Sequence, residues 1–452
     1  MAEPKSTEVD ASYSATSTQP PVSPPPILGL LRPVTALLIA AAILMMGNGL
    51  LGMLIPLRAD AEQFTRLEIG ILGSCYYAGL MAGCWLCPAI IGRVGHIRAF
   101  VAFTASATMT PLLHALFPTP EVWWALRALN GLCFAGLFMG IESWLSGAAT
   151  PETRGRILGL YTVINLTVVT LGIQMVGLME PKSYQLFSLV AILFTLAAVP
   201  VALTPNAPPQ TPRSTRLRLG WLISVSPVAV LGCFFTGLAN SGFWTLAPLF
   251  AQGAGLTTAQ TALFVTTAVL GGAASQWPVG QLSDRFGRRP LLGLFGALAS
   301  AAGLLLYTFA TGRAGELYML AALYGICAFP VYPLCVAHAN DLVHRKRAVE
   351  VSSGLLMTFS IGAVIGPLLA SLAMRNAGHG ALFLHSAVAH ALIMVATVVR
   401  IQLRPSLPQT RSTDFVVLPR TTPAMFDLDP RGAGPEPASP PKSVAPKSNE
   451  TG

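Results

Sequence analysis

The densest group of chemistry-bearing side chains in this sequence is Gly280-Gln281-Leu282-Ser283-Asp284-Arg285-Phe286-Gly287-Arg288-Arg289-Pro290. Its chemistry is that of a latch. Gly280 lets two helices approach closely. Asp284 can accept hydrogen bonds from unpaired N–H groups at a neighbouring helix start. Gly287 permits a sharp reversal of the chain. Arg285, Arg288 and Arg289 suit carboxylates and lipid headgroups. An earlier run, Pro88-Ala89-Ile90-Ile91-Gly92-Arg93-Val94-Gly95-His96-Ile97-Arg98, keeps Arg93 and Gly95. It has Pro88 in place of the leading glycine and Gly92 in place of the aspartate, so an aspartate latch is expected only in the later run.

Arg127 and Glu142 interrupt an otherwise apolar stretch. Arg127 has two readings. It snorkels to the headgroups, or it faces a central cavity and takes substrate anions or takes part in proton coupling; the second is preferred. Glu142 lies fifteen residues further on, about 22 Å along a helix, so the two cannot pair within it. Its expected partners are Arg93, Arg154 or Arg156, as a gate that breaks during a cycle or as a static pair at a helix end. Asp341, ahead of His344-Arg345-Lys346-Arg347, has the same two readings. Asn48, Asn130, Asn165, Gln174, Asn240, Trp244, Tyr324 and Tyr332 are plausible pocket lining as a set, although lone amides in lipid more often bond between helices. His338, His385 and His390 have no carboxylate beside them in sequence and are weak candidates for proton work. Cys84 and Cys87 have CxxC spacing, but inside an apolar run they read as packing rather than a metal or redox pair.

The elements that must hold these residues follow from composition. Of 452 residues, 53% are hydrophobic and only 10% charged, against about 25% charged in soluble domains. An ordinary soluble enzyme and a disordered chain are both excluded. The net charge of +9 is spread in short clusters between apolar runs, which suits membrane loops better than a nucleic-acid face. A spanning helix needs about 20 apolar residues. The uncharged stretch 219–283 holds two spans with a hinge between Ala251 and Gln260, and the whole sequence between 34 and 402 holds twelve. No cleavable signal peptide is read at the start, because the first apolar stretch is too long. All seven cysteines fall inside spans, so a disulfide framework is not expected.

Alternate loops differ in basic residues, 13 against 5. The richer set, which includes Arg93, Arg154, Arg216, Arg285 and Arg347, is read as cytoplasmic, with both termini. Trp123 and Trp124 are read as belt residues at the outer end of the fourth span, with Trp144 at its inner end and Trp221 at the inner end of the seventh. Arg93-Val94-Gly95 and Arg285-Phe286-Gly287 stand 192 residues apart, Arg154 and Arg347 stand 193 apart, and Gly172 and Gly366 stand 194 apart. Two six-helix halves follow, at 34–203 and 219–402, joined by a cytoplasmic linker at 204–218. Residues 1–33 and the Pro-rich tail 403–452 are expected to be disordered. Repeated halves are a mark of secondary transporters, with the site between them near the midplane.

The later run resembles the signature loop of the major facilitator superfamily, G-x-L-a-D-R-x-G-R-[RK]. Arg127-Ala128-Leu129-Asn130-Gly131 resembles the superfamily's fourth-helix R-x-x-Q-G, with Asn130 for Gln. With Gly140-Ile141-Glu142-Ser143-Trp144, Arg154-Gly155-Arg156, Gln276-Trp277-Pro278-Val279-Gly280 and Phe329-Pro330-Val331-Tyr332-Pro333, residues 34–402 are similar to the bacterial YcaD-type branch. The resemblance implies transport but no particular cargo. Gly362-Ala363-Val364-Ile365-Gly366-Pro367 resembles an element that antiporters carry in helix 5. Here it falls in helix 11, and it is read as packing.

The expectation is therefore an all-α polytopic membrane protein with twelve helices in two pseudo-repeats. It would work as a secondary active transporter by alternating access in a bacterial inner membrane. Proton-coupled export of a small apolar or weakly anionic metabolite or drug is expected, with uptake symport or uniport as alternatives and a transport-fold receptor as the rival class. Closure of the cytoplasmic face is assigned to Gly280, Asp284, Arg285, Gly287, Arg288, Arg93, Gly95, Glu142, Arg154 and Asp341. No P-loop appears, and no enzymatic activity, cofactor, metal or nucleic-acid partner is expected. The expected partners are a small-molecule substrate, protons and the lipid bilayer, and the expected state is a monomer.

Overall fold

A computed structural model of the chain describes residues 35–150, 153–203, 218–344, 347–403, 415–416 and 420–429. Among them all regular structure is helical. Twelve helical spans run in order: α1 (Thr35–Ala61), α2 (Arg66–Val94), α3 (His96–Leu116), α4 (Pro120–Ala148), α5 (Arg154–Leu178, its last four residues 3-10) and α6 (Tyr184–Ala202); then α7 (Pro227–Gly253), α8 (Thr258–Phe286), α9 (Arg288–Thr308), α10 (Ala314–Asn340, interrupted at Phe329-Pro330), α11 (Ala348–Ala377) and α12 (Ala381–Leu403). Eleven are long and apolar enough to cross a bilayer. The twelfth, α8, is 29 residues long but carries Gln260, Thr261, Thr266, Thr267, Ser275 and Gln276. Large exposed apolar side chains such as Leu171, Ile192, Trp277 and Val395 lie on the outside, which suits lipid contact.

The repeat is written into the helix ends. The bounds of α1, α2 and α3 recur at an offset of 192 in α7, α8 and α9. Thr65 and Glu68 form a capping box that starts α2, and Thr257 and Gln260 form its counterpart on α8. Each box satisfies two otherwise orphan N–H groups. Gly95 and Gly287 end α2 and α8 at φ +86° and +87°. That conformation is strained for a residue with a Cβ. We call the end that carries these two glycines the signature-loop face, and the end with the capping boxes the opposite face.

Glycines set the helix crossings in matched pairs. A Cβ on Gly79 of α2 would fall on the Ala128 backbone of α4, and one on Gly131 on the Tyr76 backbone of α2. In the second half, Gly271 meets Ala322 and Gly325 meets Ala268 in the same way. Gly172 approaches Met46, and its counterpart Gly366 approaches Leu238. Without a hydrophobic drive between helices in lipid, such close backbone approach supplies the association. Gly362 sits against Phe234, so Gly362 and Gly366 are packing residues of α11.

Several expectations are corrected. Residues 219–225 belong to a separate short helix, Leu219–Val225, because Ser226-Pro227 restarts the chain as α7. Trp221 therefore lies outside the seventh span, with Arg347 4.9 Å above its ring. Trp123 is not a belt residue. It is fully buried, donates to the His114 carbonyl at 3.1 Å and packs on Phe64 and Phe187. The N-terminus 1–33 and the linker up to residue 217 lie outside the described residues, as do Arg345 and Lys346. In the tail, expected to lack structure from 403, residues 423–428 form a 3-10 helix packed against α4 and α11.

Candidate functional site

The two halves meet directly on the opposite face. Gly70 and Gly73 of α2 abut Ser371, Pro367 and Thr245. Gln174 of α5 donates to Thr266 of α8 at 2.7 Å. Between the halves lies a cavity of about 340 Å³. Toward the signature-loop face it ends on Arg420 and Thr421, residues of the tail.

Among the described residues, two that line this cavity are charged, and both are arginine. Arg127 stands seven residues into α4, so it is placed about 10 Å from the opposite end of that helix. It is 8% exposed, stacks over the Tyr76 ring at 4.3 Å and donates weakly to Asn130 at 3.4 Å. Its Nε has no hydrogen-bond partner among the described residues. Asn130 is held in turn by donating to Thr110 at 3.2 Å. Asn48 hydrogen-bonds the Tyr76 side chain, which fixes the ring beneath the guanidinium. A buried cation held over an aromatic face sits at low local dielectric, where it attracts anions strongly.

Asn48, Asn165, Trp244 and Tyr332 line the cavity with Arg127. Trp244 stacks on Phe329 at 6.3 Å, which makes one wall aromatic. The buried Tyr332 hydroxyl has no partner among the described residues. Four members of the expected set do not line it. Gln174 bonds Thr266 across the halves. Asn130 turns away to α3. Tyr324 is packed among Phe243 and Phe383 and bonds Ser386 at 2.7 Å. Asn240 is buried within the second half. Polarity identified these residues, but helical phase decides which way they point, and Asn130, Tyr324 and Asn240 each face their own bundle. Tyr76, Tyr77, Thr162, Gln276 and Phe329 line the cavity and were missed by the sequence reading. Tyr76 had a signal, because it stands near Gly79 on a helix whose partner carries Arg127.

The gate residues separate into groups. Arg288 pairs with Asp284 at 2.6 Å and with Asp341 at 3.3 Å, and it donates to Ser283. Arg289 donates to His338 at 3.4 Å. This network closes within the second half, between α8, α9 and α10. Arg93 and Arg285 are exposed, with Arg285 over the Phe286 ring at 5.6 Å. Arg154 is half-buried at the start of α5. Glu142 is fully buried and accepts hydrogen bonds from Thr421 and Thr422 of the tail, partners that no reading of the sequence offered. Arg420 lies 5.5 Å above the Tyr332 ring and 5.3 Å above Phe359. Burial pulls this guanidinium below the ordinary arginine range, and Tyr332 and Tyr77 oppose that pull. The seven cysteines are free, and no cluster suited to a metal occurs among the described residues.

The profile of the Major Facilitator Superfamily matches residues 37–266 and again 229–437, two matches whose starts are 192 residues apart. The chain is similar to the MFS-type transporter YcaD of Escherichia fergusonii, 26% identical over 390 residues, covering 84% of this chain and 97% of that protein. It is 25% identical to YcaD of Shigella flexneri serotype 5b over 359 residues, 78% of this chain and 92% of that one. Among solved structures, the nucleoside transporter NupG superposes with a TM-score of 0.71 at 13% identity, covering 82% of this chain and 99% of NupG. A bacterial homologue of the lysosomal transporter Spinster, described as inward-facing and occupied, superposes at 0.64 with 15% identity, covering 82% of this chain and 94% of that one.

Proposed function

From the premise that this chain belongs to the Major Facilitator Superfamily of membrane transporters, we propose that it moves a small, largely apolar, weakly anionic organic molecule by alternating access. One observation carries the reading. The cavity between the halves has Arg127 and aromatic rings on its wall, and none of its lining residues is acidic among the described residues. A carboxylate would meet the guanidinium and the free Tyr332 hydroxyl, and an apolar body would lie against Trp244 and Phe329. A cationic cargo would find no counter-charge there, and burying it unpaired would be costly. In this reading the signature-loop face is cytoplasmic, as the basic loops indicate, and both termini lie there. The halves would rock about the cavity in the inner membrane of a bacterium, as a monomer.

Proton-coupled export is the direction and coupling we assign, with Glu142 as the buried acid nearest the route. Uniport is the second reading, favoured by the lack of a carboxylate on the cavity wall. Counterflow in proteoliposomes, screened across small organic anions, neutral analogues and cations, with and without an imposed pH gradient, tests both. Anions preferred over matched neutral analogues and driven by the pH gradient are expected. Preference for cations would overturn the charge argument, and flux insensitive to the gradient would select uniport.

A further inference from the structure

Beyond Leu403, the described residues of the tail, 415–416 and 420–429, lie against the body of the protein. Phe415 packs on Gly280, where a Cβ would come within 2.6 Å of its ring, and Arg288 lies 5.7 Å above that ring. Both contacts are on the signature loop. Arg420 then enters the cavity over Tyr332 and Phe359 of the second half. The next two residues, Thr421 and Thr422, donate to the two oxygens of Glu142 in the first half. The 3-10 helix Pro423–Leu428 lies between α4 of one half and α11 of the other. Thr422, Met425 and Leu428 are fully buried, and Ala424, Phe426 and Asp429 are nearly so.

This burial is specific. The surrounding tail is polar and Pro-rich, but Phe415-Val416-Val417-Leu418 and Ala424-Met425-Phe426 form an apolar island within it. The segment touches both halves on the one face where they do not lock to each other through the contacts described above. Alternating access requires those helix ends to close and part. A wedge that bonds α4 with its hydroxyls and α10 and α11 with its guanidinium opposes closure. It also fills space on the cargo side of Glu142.

We propose that Phe415 and residues 420–429 form an intramolecular plug. It occupies the cargo route on the signature-loop face, holds the halves apart there, and must withdraw before the transporter can turn over. The plug rests on the cavity being the cargo route. Its energetics are those of a tethered ligand. Eleven residues, 404–414, join Leu403 to Phe415 and reach at most about 40 Å when extended. A linker of that length gives an effective concentration of about 1 mM, so a segment with an intrinsic Kd of about 0.1 mM is docked about 90% of the time. Removing the tether or the docking residues exposes the cavity about tenfold more often.

The test needs no cargo. Thr162, on the cavity wall, is replaced by cysteine in the full chain, and N-ethylmaleimide modification of that one site is timed by peptide mass spectrometry in inside-out vesicles. Met425→Asp/Phe426→Asp, which places charge in the buried wedge, is expected to speed modification about tenfold. A synthetic peptide of residues 415–429 at about 1 mM is expected to slow it again. Thr421→Ala/Thr422→Ala, which removes only the hydrogen bonds to Glu142, is expected to give a smaller acceleration. It carries the test if the double aspartate variant does not fold. Equal rates in the unchanged tail and in each folded variant would overturn the plug. If modification accelerates but counterflow of every cargo class stays absent in plugged and unplugged chains, the plug stands and the transport reading fails instead.

Discussion

Replacing Gly131 by alanine tests whether each half is held together internally by backbone contact at matched crossings. A Cβ there would stand 2.8 Å from the Leu80 nitrogen and 3.0 Å from the Tyr76 carbonyl carbon, and closer still to the Tyr76 oxygen. These are backbone atoms, so no side chain can swing aside. Restoring ordinary contact requires α2 and α4 to part by about 1 Å, which as overpacking costs about 2–3 kcal/mol. Alanine returns up to about 1 kcal/mol in helix propensity, leaving a net loss of about 1–2 kcal/mol. Gly159 is the control, because it lies in a helix with nothing within 4 Å of its built Cβ. Gly159→Ala takes only the propensity gain. The two variants should differ by about 2–3 kcal/mol, or roughly 5–10 °C in melting temperature, by scaling from soluble domains of about 150–250 residues. Melting in detergent, followed with a thiol-reactive dye that reports exposure of the buried Cys87, Cys133, Cys233 and Cys335, provides the assay. Gly325→Ala, the counterpart in the second half, should repeat the loss. Gly131→Ala melting level with Gly159→Ala would refute the close-packing argument.

The remaining expectations concern charge and polarity. Arg127→Gln should raise the counterflow KM for an anionic cargo by about 10–100-fold, the loss of one charge-assisted hydrogen bond. A neutral analogue should be affected far less, and equal effects on both would remove Arg127 from anion recognition. Asp284→Asn should leave the melting temperature nearly unchanged, because its carboxylate is 44% exposed and such pairs contribute about 0–1 kcal/mol. It should shift the conformational balance and the transport rate, and if both stay as they are the loop is no latch. Tyr324→Phe should cost about 1 kcal/mol by leaving the buried Ser386 hydroxyl short of its 2.7 Å partner. Counterflow should be unaffected, since Tyr324 does not line the cavity, and a change in cargo affinity would contradict that placement.

The parts of the molecule legible in the sequence are those written in local pattern. Spans show as uncharged runs, and the repeat shows because Gly95 and Gly287 are both required at a positive φ. Arg127 stood out because a cation in an apolar run has few alternatives. Direction around a helix was not legible. Asn48 and Asn130 look alike in sequence, yet one faces the cavity and the other bonds Thr110. In a chain solvated by lipid on one side and by itself on the other, apolar periodicity is weak, so helical phase leaves little trace. The tail was misread because its composition was averaged. The apolar island at 415–428 was present in the sequence, but Pro and Ser on both sides masked it.

The repeat also shows where function departs from scaffold. Residues that set helix ends and crossings recur in both halves: the capping boxes, the positive-φ glycines and the Gly79/Gly131 and Gly271/Gly325 pairs. With Gly131 matched to Gly325, Arg127 falls opposite Ala321, Asn130 opposite Tyr324 and Glu142 opposite Val336. Among the described lining residues, the first half supplies Arg127 with Tyr76 and Tyr77, the tail supplies Arg420, and the second half supplies Trp244, Phe329 and Tyr332. The latch network of Asp284, Arg288 and Asp341 belongs to the second half alone. In the proposed reading, two halves with equal scaffolds and unequal side chains give a cargo site whose anion-binding Arg127 stands on one side only. If the cavity is the cargo route as proposed, rocking the halves apart would separate Arg127 from Trp244 and Phe329, so cargo would be gripped fully only while both sides of the cavity are together.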